Sequence, residues 1–310
     1  MQIYYKKNKE MLSILIPTYN YKTIDFVKEL NKQLIAENVD FEIIVGDDKS
    51  TNLEIIHQNE SINQIENCSY VVNSENLGRG GNLNSLVKKS KYAWILFLDC
   101  DIFPKDTNFI KNYIDCIKSN SHKIHFGGLI YESKKPCDNE TLRWIYGNNR
   151  ESIPLEKRKL NPYETTLTSN ILIRKEILEN YPFHSEIKNY GFEDLVFILE
   201  LKKNNIEINH LENPVFHLNL EKSIVFINKF ESSLNNLKYL TDNKIIKNQD
   251  SRFSNLYSKL DKLKLTKLVS FSFRILKSSY LKNLTSKKPS IFIFDVYRIG
   301  FYCSLFKEKL

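Results

Sequence analysis

Two acidic residues one position apart, Asp99 and Asp101, follow directly after an apolar run over 92–98. A run of that length predicts a buried strand, so both carboxylates fall at its carboxyl end, where open α/β sheets bind ligands. No basic residue follows before Lys105. The pair suits a hard divalent cation that holds a phosphate-bearing ligand, and a solvated acidic turn is the alternative.

Four further polar segments follow predicted strands or open predicted helices. They are Ile-Pro-Thr-Tyr-Asn at 16–20, Gly-Asp-Asp-Lys-Ser at 46–50, the glycine-rich Asn-Leu-Gly-Arg-Gly-Gly-Asn at 76–82 and Gly-Phe-Glu-Asp at 191–194. Because the carboxyl ends of parallel strands meet at one edge of a sheet, we expect these segments to face the same cleft as the acidic pair.

Strand-like and helical patterns alternate through the first 100 residues. Apolar runs predict strands at 12–16, 41–45, 69–72 and 93–98, and helical spacing is clearest over 21–36. This order predicts an α/β fold with a doubly wound, mainly parallel sheet.

The pattern changes in the second part of the chain. Further strands are predicted at 124–130, 168–173 and 206–211, and a helix at 195–203. The connection over 131–166 reads as an irregular lid or binding loop, because it is long and rich in charge, Pro and Asn. From 221 onward the pattern is mostly helical.

Composition limits the choice of partners and compartment. The net charge is +8, and residues 221–310 hold 18 basic and seven acidic side chains. The positive excess therefore lies away from the acidic motifs, which argues against nucleic acid as a partner. Five scattered cysteines without a Cys-x-x-Cys pair indicate neither a zinc site nor a disulfide framework. With no signal peptide and no apolar window of about 20 residues, we expect a cytoplasmic protein. Any peripheral association would be with the inner face of the membrane.

Taken in order, the motifs over roughly 11–220 resemble those of the family 2 glycosyltransferases of GT-A fold. The resemblance implies that a UDP-sugar lies across the carboxyl edge of the sheet. Pro17, Thr18 and Tyr19 would line the base and ribose pocket, and Asp48 would accept a hydrogen bond from the uracil N3–H. A helix N-cap in Asp-x-Ser is the structural alternative for Asp48, and we favour that role for Asp47.

The resemblance also assigns the glycine-rich loop and the cation. Asn76, Gly78 and Arg79 match a loop that closes over the nucleotide, although Leu83 stands where the family usually has arginine. Asp101 would bind Mn²⁺ or Mg²⁺, and Asp99 would contact the ribose or a metal-bound water. His217 matches a third metal ligand in several relatives, with a buried structural histidine as the alternative.

For the transfer itself, the resemblance implies an inverting reaction with Asp194 as general base and Glu193 orienting the acceptor. Acidic residues that merely cap a helix are the alternative. Ser169 and Asn170 would border the donor sugar, or serve only in an edge strand. Trp144 is a candidate acceptor platform, and core packing is the other interpretation.

The predicted organisation is a GT-A catalytic domain over 1–220 and a basic, mostly helical region over 221–310. Residues 251–310 mix lysines with apolar side chains, which suits an anionic membrane surface, or else packing on the catalytic domain or homodimerisation. The expected activity is transfer of a hexosyl or N-acetylhexosaminyl group to a glycan or lipid-linked acceptor in bacterial surface polysaccharide synthesis. A sugar nucleotidyltransferase and a catalytically degenerate membrane-associated scaffold are the alternatives.

Overall fold

The computed structural model describes residues 11–184, 187 and 190–306 of the chain. Its strands are β1 Met11–Thr18, β2 Asp40–Asp47, β3 Cys68–Val72, β4 Trp94–Leu98, β5 Ile102–Pro104, β6 Ile124–Phe126, β7 Leu129–Ile130, β8 Asn170–Arg174, β9 Asn209–His210 and β10 Val215–His217. Its helices are α1 Ile24–Ala36, α2 Leu53–Glu60, α3 Gly78–Lys89, α4 Phe109–Ser119, α5 Thr141–Tyr146, α6 Leu155–Leu160, α7 Pro162–Thr165, α8 Lys175–Asn180, α9 Glu193–Lys203, α10 Ser223–Asp242, α11 Arg252–Lys262, α12 Thr266–Leu284 and α13 Ile291–Ser304. Short helical turns lie at Ser61–Gln64, Asp138–Glu140, Gly147–Glu151 and Asn248–Asp250.

A seven-stranded sheet with the order β3-β2-β1-β4-β8-β6-β9 forms the centre of the fold. Strand β1 pairs in parallel with β2 and β4, and β2 with β3, whereas β8 runs antiparallel to β4 and β6. Side chains alternate between the two faces, so Ile14 belongs to one hydrophobic cluster and its neighbour Leu15 to another. The predicted α/β class with a doubly wound, mainly parallel sheet and C-terminal helices is confirmed.

One predicted strand, over 124–130, is wrong. The segment divides into β6 in the large sheet and β7 in a second, three-stranded sheet with the order β5-β10-β7. Two glycines make the break possible. Gly128 has a φ of +99°, and a Cβ on Gly127 would lie 2.5 Å from the carbonyl oxygen of Asn213. Only residues without a side chain fit here.

The small sheet also contains two strands, β5 and β10, that the apolar pattern did not predict. Each is three residues long, which is too short for a periodic signal. They pair antiparallel with His217 opposite Ile102. This register brings the end of β10 next to Asp101.

The connection over 131–166 is not the irregular loop that was predicted. It contains α5, α6 and α7 in addition to two short helical turns. Two of its three prolines stand at helix starts, with Pro154 immediately before α6 and Pro162 as the first residue of α7. Pro162 occupies the first helical position, where proline is favoured, and Pro154 lies just outside α6, so neither residue breaks a helix.

The C-terminal helices pack against the sheet-containing part of the chain. Leu142 of α5 shares a hydrophobic cluster with Phe226 of α10, and Val196 of α9 shares another with Leu234. Both clusters cross the boundary predicted near 220, which stays a prediction. Within the described residues, no helix has both the length and the apolar character needed to cross a bilayer.

Candidate active site

A cavity of about 790 Å³ lies at the carboxyl edge of the large sheet. Its wall is built from residues at or just after the ends of β1, β2 and β4, from the first turns of α3 and α9, and from β10 and α10. Eleven of the predicted site residues line it, namely Pro17, Thr18, Tyr19, Asp48, Arg79, Asp99, Asp101, Ser169, Glu193, Asp194 and His217. The three carboxylates on which the predicted chemistry depends therefore share one cleft.

The loop after β1 is held in place by an asparagine in the left-handed region. Asn20 has a φ of 50°, and its backbone N–H donates to Ser50 Oγ at 2.7 Å. Its side-chain oxygen accepts from the backbone N–H groups of Thr51 and Asn52, both at 2.9 Å. These bonds tie the loop after β1 to the loop after β2, and so fix the end of the cavity that Pro17 and Thr18 line.

Asp47 and Asp48 have different structural roles, and neither is a helix N-cap. The fully buried Asp47 accepts from the backbone N–H of Ser50 at 2.6 Å and from the Tyr70 hydroxyl. Asn52 caps the helix that follows, so the N-cap interpretation was wrong. Asp48 lines the cavity, and its Oδ1 accepts from the backbone N–H of Leu77 at 2.8 Å.

The glycine-rich loop is hydrogen-bonded to both the backbone carbonyl and the side chain of Asp48. Asn76 donates from Nδ2 to the Asp48 carbonyl at 2.9 Å, and its Oδ1 accepts from the backbone N–H of Gly78 at 3.2 Å. Gly78 has a φ of +72°, which explains the glycine. These contacts shape the loop, although Asn76 and Gly78 themselves do not line the cavity in the part of the chain described.

Arg79 lies between two of the acids. Its Nε and Nη2 donate to Asp99 Oδ1 at 3.2 and 2.7 Å. Its Nη1 donates to Asp194 Oδ1 at 2.7 Å and to Thr168 Oγ1 at 2.8 Å. Burial lowers the pKa of Arg79, but the charges of Asp194 and Asp99 outweigh burial and raise it well above its ordinary value. The guanidinium therefore joins the end of β4 to the start of α9.

Asp99 and Asp101 are carboxylates whose charge the protein only partly balances. Burial raises the pKa of Asp99, Arg79 opposes that rise, and the charge of Asp101 adds to it. Burial also raises the pKa of Asp101, with Arg143 opposing. Carboxylate oxygens are the ligands that Mg²⁺ or Mn²⁺ prefers, and a bound cation would oppose the rise in both pKa values, so this pair fits such a cation.

His217 fits less well as a metal ligand. Its Nε2 lies 3.6 Å from Asp101 Oδ2 but also accepts a hydrogen bond from Arg143 Nη2 at 3.2 Å. Burial, followed by the Arg143 charge, lowers the pKa of His217 to about 4. No three His, Cys, Asp or Glu side chains form a metal-ligand cluster among the residues described.

The start of α9 presents the other two acids. Gly191 and Phe192 have φ values of +94° and 69°, and a Cβ on Gly191 would lie 2.5 Å from Ser233 Cβ on α10. This turn places Asp194 against Thr168, whose hydroxyl donates to Asp194 Oδ1 at 2.5 Å. Glu193 Oε2 is buried and has no hydrogen-bond partner among the described residues. Burial and then the charge of Asp194 raise the pKa of Glu193.

The remaining predicted residues divide between the cavity and the core. Ser169 lines the cavity, and its buried hydroxyl has no partner within the described chain. Asn170 is fully buried and donates to the carbonyls of Gly128 and Asn213 at 2.9 and 3.0 Å, away from the described cavity wall. Trp144 lies outside that wall as well, and its indole N–H donates to the Glu132 carbonyl at 2.7 Å.

Comparison with known proteins supplies the family. Residues 13–181, more than half of the chain, match the sequence model for glycosyl transferase family 2. The chain belongs to this family. The predicted family and its GT-A-type fold are thereby confirmed.

Two named proteins resemble this family 2 member. A poly(ribitol-phosphate) beta-glucosyltransferase of Bacillus spizizenii is 31% identical over 122 residues, which is 38% of this chain and 19% of the relative. The chain thus spans only about a fifth of that relative's length. The crystal structure of S. aureus TarS aligns over 94% of this chain and 55% of TarS, with a TM-score of 0.49 and 17% identity. A structure of TarS 1–349 in complex with UDP aligns over 95% of this chain and 90% of that chain, with a TM-score of 0.48 and 16% identity.

The family's usual arginine position is part of the core in this chain. Leu83 is fully buried under the sheet. The guanidinium at the cleft comes instead from Arg79, one helical turn earlier on α3. Both residues lie on nearly the same side of the helix, so sequence spacing alone did not show which would reach the acids.

Sequence reasoning also missed a charged group at the side of the cavity that α5 and α10 form. Arg143 donates to Glu151 Oε2 at 3.0 Å, and Lys229 pairs with Glu221. All four line the cavity. An arginine within the apolar segment Leu-Arg-Trp-Ile was the available sequence signal for Arg143.

Proposed function

We propose that this protein is an inverting, metal-dependent glycosyltransferase that moves a hexosyl or N-acetylhexosaminyl group from a UDP-sugar to a hydroxyl of a cell-surface polymer. The observation that carries the proposal is that Asp99, Asp101 and Asp194 line one cavity at the carboxyl edge of the sheet in a family 2 chain. Ligands of open α/β sheets bind at this edge.

The donor would lie along the cavity from the loop after β1 to the start of α9. Pro17, Thr18 and Tyr19 form one end, where Tyr19 is half exposed and offers a face for a base. Asp48 is held there by the backbone of Leu77, with a carboxylate able to accept the N3–H of uracil. Ser169, whose hydroxyl lacks a partner among the described residues, would bind a hydroxyl of the donor sugar.

The charge of the cavity supports a cation. Eight carboxylates line it against three basic side chains: Asp48, Asp99, Asp101, Glu151, Glu164, Glu193, Asp194 and Glu221 against Arg79, Arg143 and Lys229. A diphosphate would be repelled by this wall without added positive charge. Asp99 and Asp101 would hold Mn²⁺ or Mg²⁺, which when bound neutralises charge on the departing diphosphate. We leave His217 as a candidate third ligand that must first give up its bond from Arg143.

Asp194 would act as the general base through Oδ2. Its Oδ1 already accepts from Arg79 and Thr168, whereas Oδ2 has only a long contact of 3.4 Å from the backbone N–H of Thr168. Oδ2 would take the acceptor proton while the acceptor oxygen bonds to the anomeric carbon and the bond to UDP breaks on the opposite face. Glu193, with its unpartnered oxygen, would bind a second acceptor hydroxyl.

The relative's name supports the proposed acceptor class. A poly(ribitol-phosphate) beta-glucosyltransferase acts on a hydroxyl-rich polymer, which supports a comparable surface polymer here. A lipid-linked glycan would present the same nucleophile. A sugar nucleotidyltransferase would instead release pyrophosphate from a nucleoside triphosphate, so product analysis separates the two activities.

The test is Asp194→Asn in the full chain. We expect transfer from UDP-sugars to poly(ribitol phosphate) or to a lipid-linked glycan to fall by about 100-fold or more, because the base is lost. UDP binding, measured by thermal shift with Mn²⁺, should stay near that of the unchanged protein. The same assay with EDTA in place of Mn²⁺ measures metal dependence.

The matched control is Asp115→Asn, which alters an exposed carboxylate paired with Lys111 on α4. It should leave both transfer and binding unchanged. A loss of UDP binding in Asp194→Asn as large as the loss of transfer would contradict its role as base. Transfer that persists in EDTA would contradict the proposed metal dependence.

A further inference from the structure

Helix α12 and the turn before it present large apolar side chains to solvent. Leu263, Leu268, Phe271 and Ile275 are 67%, 60%, 55% and 63% exposed. Leu268, Phe271 and Ile275 follow one another at spacings of three and four, so they form one stripe along the helix. Scattered exposed apolar residues need no explanation, but a continuous stripe of this kind marks an interaction surface.

The opposite side of α12 holds the stripe in this orientation. Phe273 and Leu284 are buried in a cluster with Phe294 of α13. Gly300 of α13 lets the helices approach closely, since a Cβ there would lie 2.8 Å from Phe273 Cβ. The helix is therefore anchored on one side, and the apolar stripe faces outward because of packing.

Basic residues accompany the stripe. Residues 251–290 contain ten lysines and arginines and a single acid, Asp261. Three of the ten bind acids elsewhere in the fold, namely Arg252, Lys277 and Lys287. Within the described chain, Lys264, Arg274 and Lys282 form no ion pair, and all three are exposed.

We infer that the stripe formed by Leu268, Phe271 and Ile275 docks on an anionic bilayer surface. Apolar side chains enter the interface while lysines and arginines contact anionic headgroups, each basic residue strengthening binding about fivefold. This inference is independent of the proposed reaction, because none of these residues lines the cavity in the described structure.

The charges favour a membrane over a protein partner. A second copy of the chain would bring two lysine-rich faces together, and like charges oppose such pairing. Lysine is also depleted in protein–protein interfaces. An anionic lipid surface, in contrast, complements both the basic residues and the apolar stripe.

The experiment is co-sedimentation of the full chain with vesicles. Vesicles of phosphatidylcholine alone are compared with vesicles of phosphatidylcholine and phosphatidylglycerol. We expect binding only to the second kind. The triple variant Leu268→Gln, Phe271→Gln and Ile275→Gln should bind at least about tenfold more weakly, and glutamine keeps the helix favourable. The variant Lys264→Gln, Arg274→Gln and Lys282→Gln should lose about a hundredfold.

The matched control changes two equally exposed leucines elsewhere, Leu53→Gln and Leu160→Gln, and should bind as the unchanged chain does. Glycosyl transfer to a soluble acceptor should be unaffected in every variant, so a failed reaction and a failed docking surface are distinguishable. Wild-type binding by the apolar triple variant overturns the inference. So does light scattering that shows a dimer in the unchanged chain and a monomer in that variant, because the stripe would then be a protein interface.

Discussion

At the scale of single residues, Arg79 decides how the candidate site is arranged. It is bonded to Asp99, Asp194 and Thr168, which come from three different segments of the chain. Charge-assisted bonds of this kind are stronger and more directional than neutral ones. The position of the proposed base therefore depends on a side chain that a sequence comparison would assign to the nucleotide loop.

Replacing this guanidinium tests that dependence. In Arg79→Met, two carboxylates lose their shared cation and repel each other, so we expect kcat/KM for transfer to fall by about 100-fold and stability to fall by about 2 kcal/mol. Arg79→Lys restores the charge but not the forked geometry and should recover only part of kcat/KM. Initial rates and urea unfolding measure both effects.

Arg174→Met provides the comparison, because Arg174 contacts Asn120 and the Trp94 ring far from the acids. It should change stability without a specific loss of kcat/KM. Unchanged transfer in Arg79→Met would show that Arg79 does not position the base.

At the scale of elements, the junction between α9 and α10 places the acids. Gly191 has a φ of +94° and no room for a Cβ beside Ser233. The following Phe192 is also left-handed, at a φ of 69°. Two consecutive residues in that region make a sharp turn that begins α9 at Glu193. The sheet-containing part and the C-terminal helices therefore meet at the acids.

A side chain at this turn should disturb both stability and activity. We expect Gly191→Ala to lower the free energy of unfolding by about 2 kcal/mol and to lower kcat, since the turn must shift and move Asp194. Gly80→Ala is the matched control, because its Cβ would lie 3.3 Å from Phe183 Cβ and Gly80 is helical. Gly80→Ala should lower the free energy of unfolding and kcat much less than Gly191→Ala does. Equal losses in both variants, by chemical denaturation and initial rates, would argue against a special role for the turn.

At the scale of the whole molecule, histidines with a lowered pKa link folding to pH; His217 is one of them, and two more, His125 and His210, lie away from the described cavity wall. Burial lowers the pKa of His125 to about 4, and burial followed by the Arg158 charge lowers that of His210 to about 4. Their ordinary value is 6.5, so the unfolded chain binds more protons than the folded one between these limits. The contribution of these histidines to the free energy of unfolding is therefore complete above pH 6.5 and is lost as the pH falls toward 4.

Urea unfolding at several pH values measures the slope of the free energy of unfolding against pH. Each histidine accounts for about 3 kcal/mol at most, and the free energy of unfolding should fall steadily between pH 6.5 and pH 4. His125→Gln and His210→Gln should each make the slope shallower. A slope that neither buried variant alters would contradict this assignment.

Local pattern was sufficient for much of the fold and for most of the cavity wall. Apolar runs mark buried strands and helical spacing marks amphipathic helices, so the order of elements in 11–100 was predictable. Acids directly after such strands, at 47–48 and 99–101, must lie at the carboxyl edge because parallel strands share their direction. Short strands such as β5 and β10 lack a periodic signal long enough to detect, and so do the short helices α6 and α7.

The amino-acid sequence by itself determined the family, the α/β sheet and the edge at which the acids gather, because these depend on periodicity and on residue order. Only the tertiary structure decided that Arg79 bridges Asp99 and Asp194, that Arg143 occupies His217 Nε2, and that α10 closes the cavity. Such contacts join residues up to 115 positions apart, and no local pattern encodes which distant side chain will reach a given carboxylate.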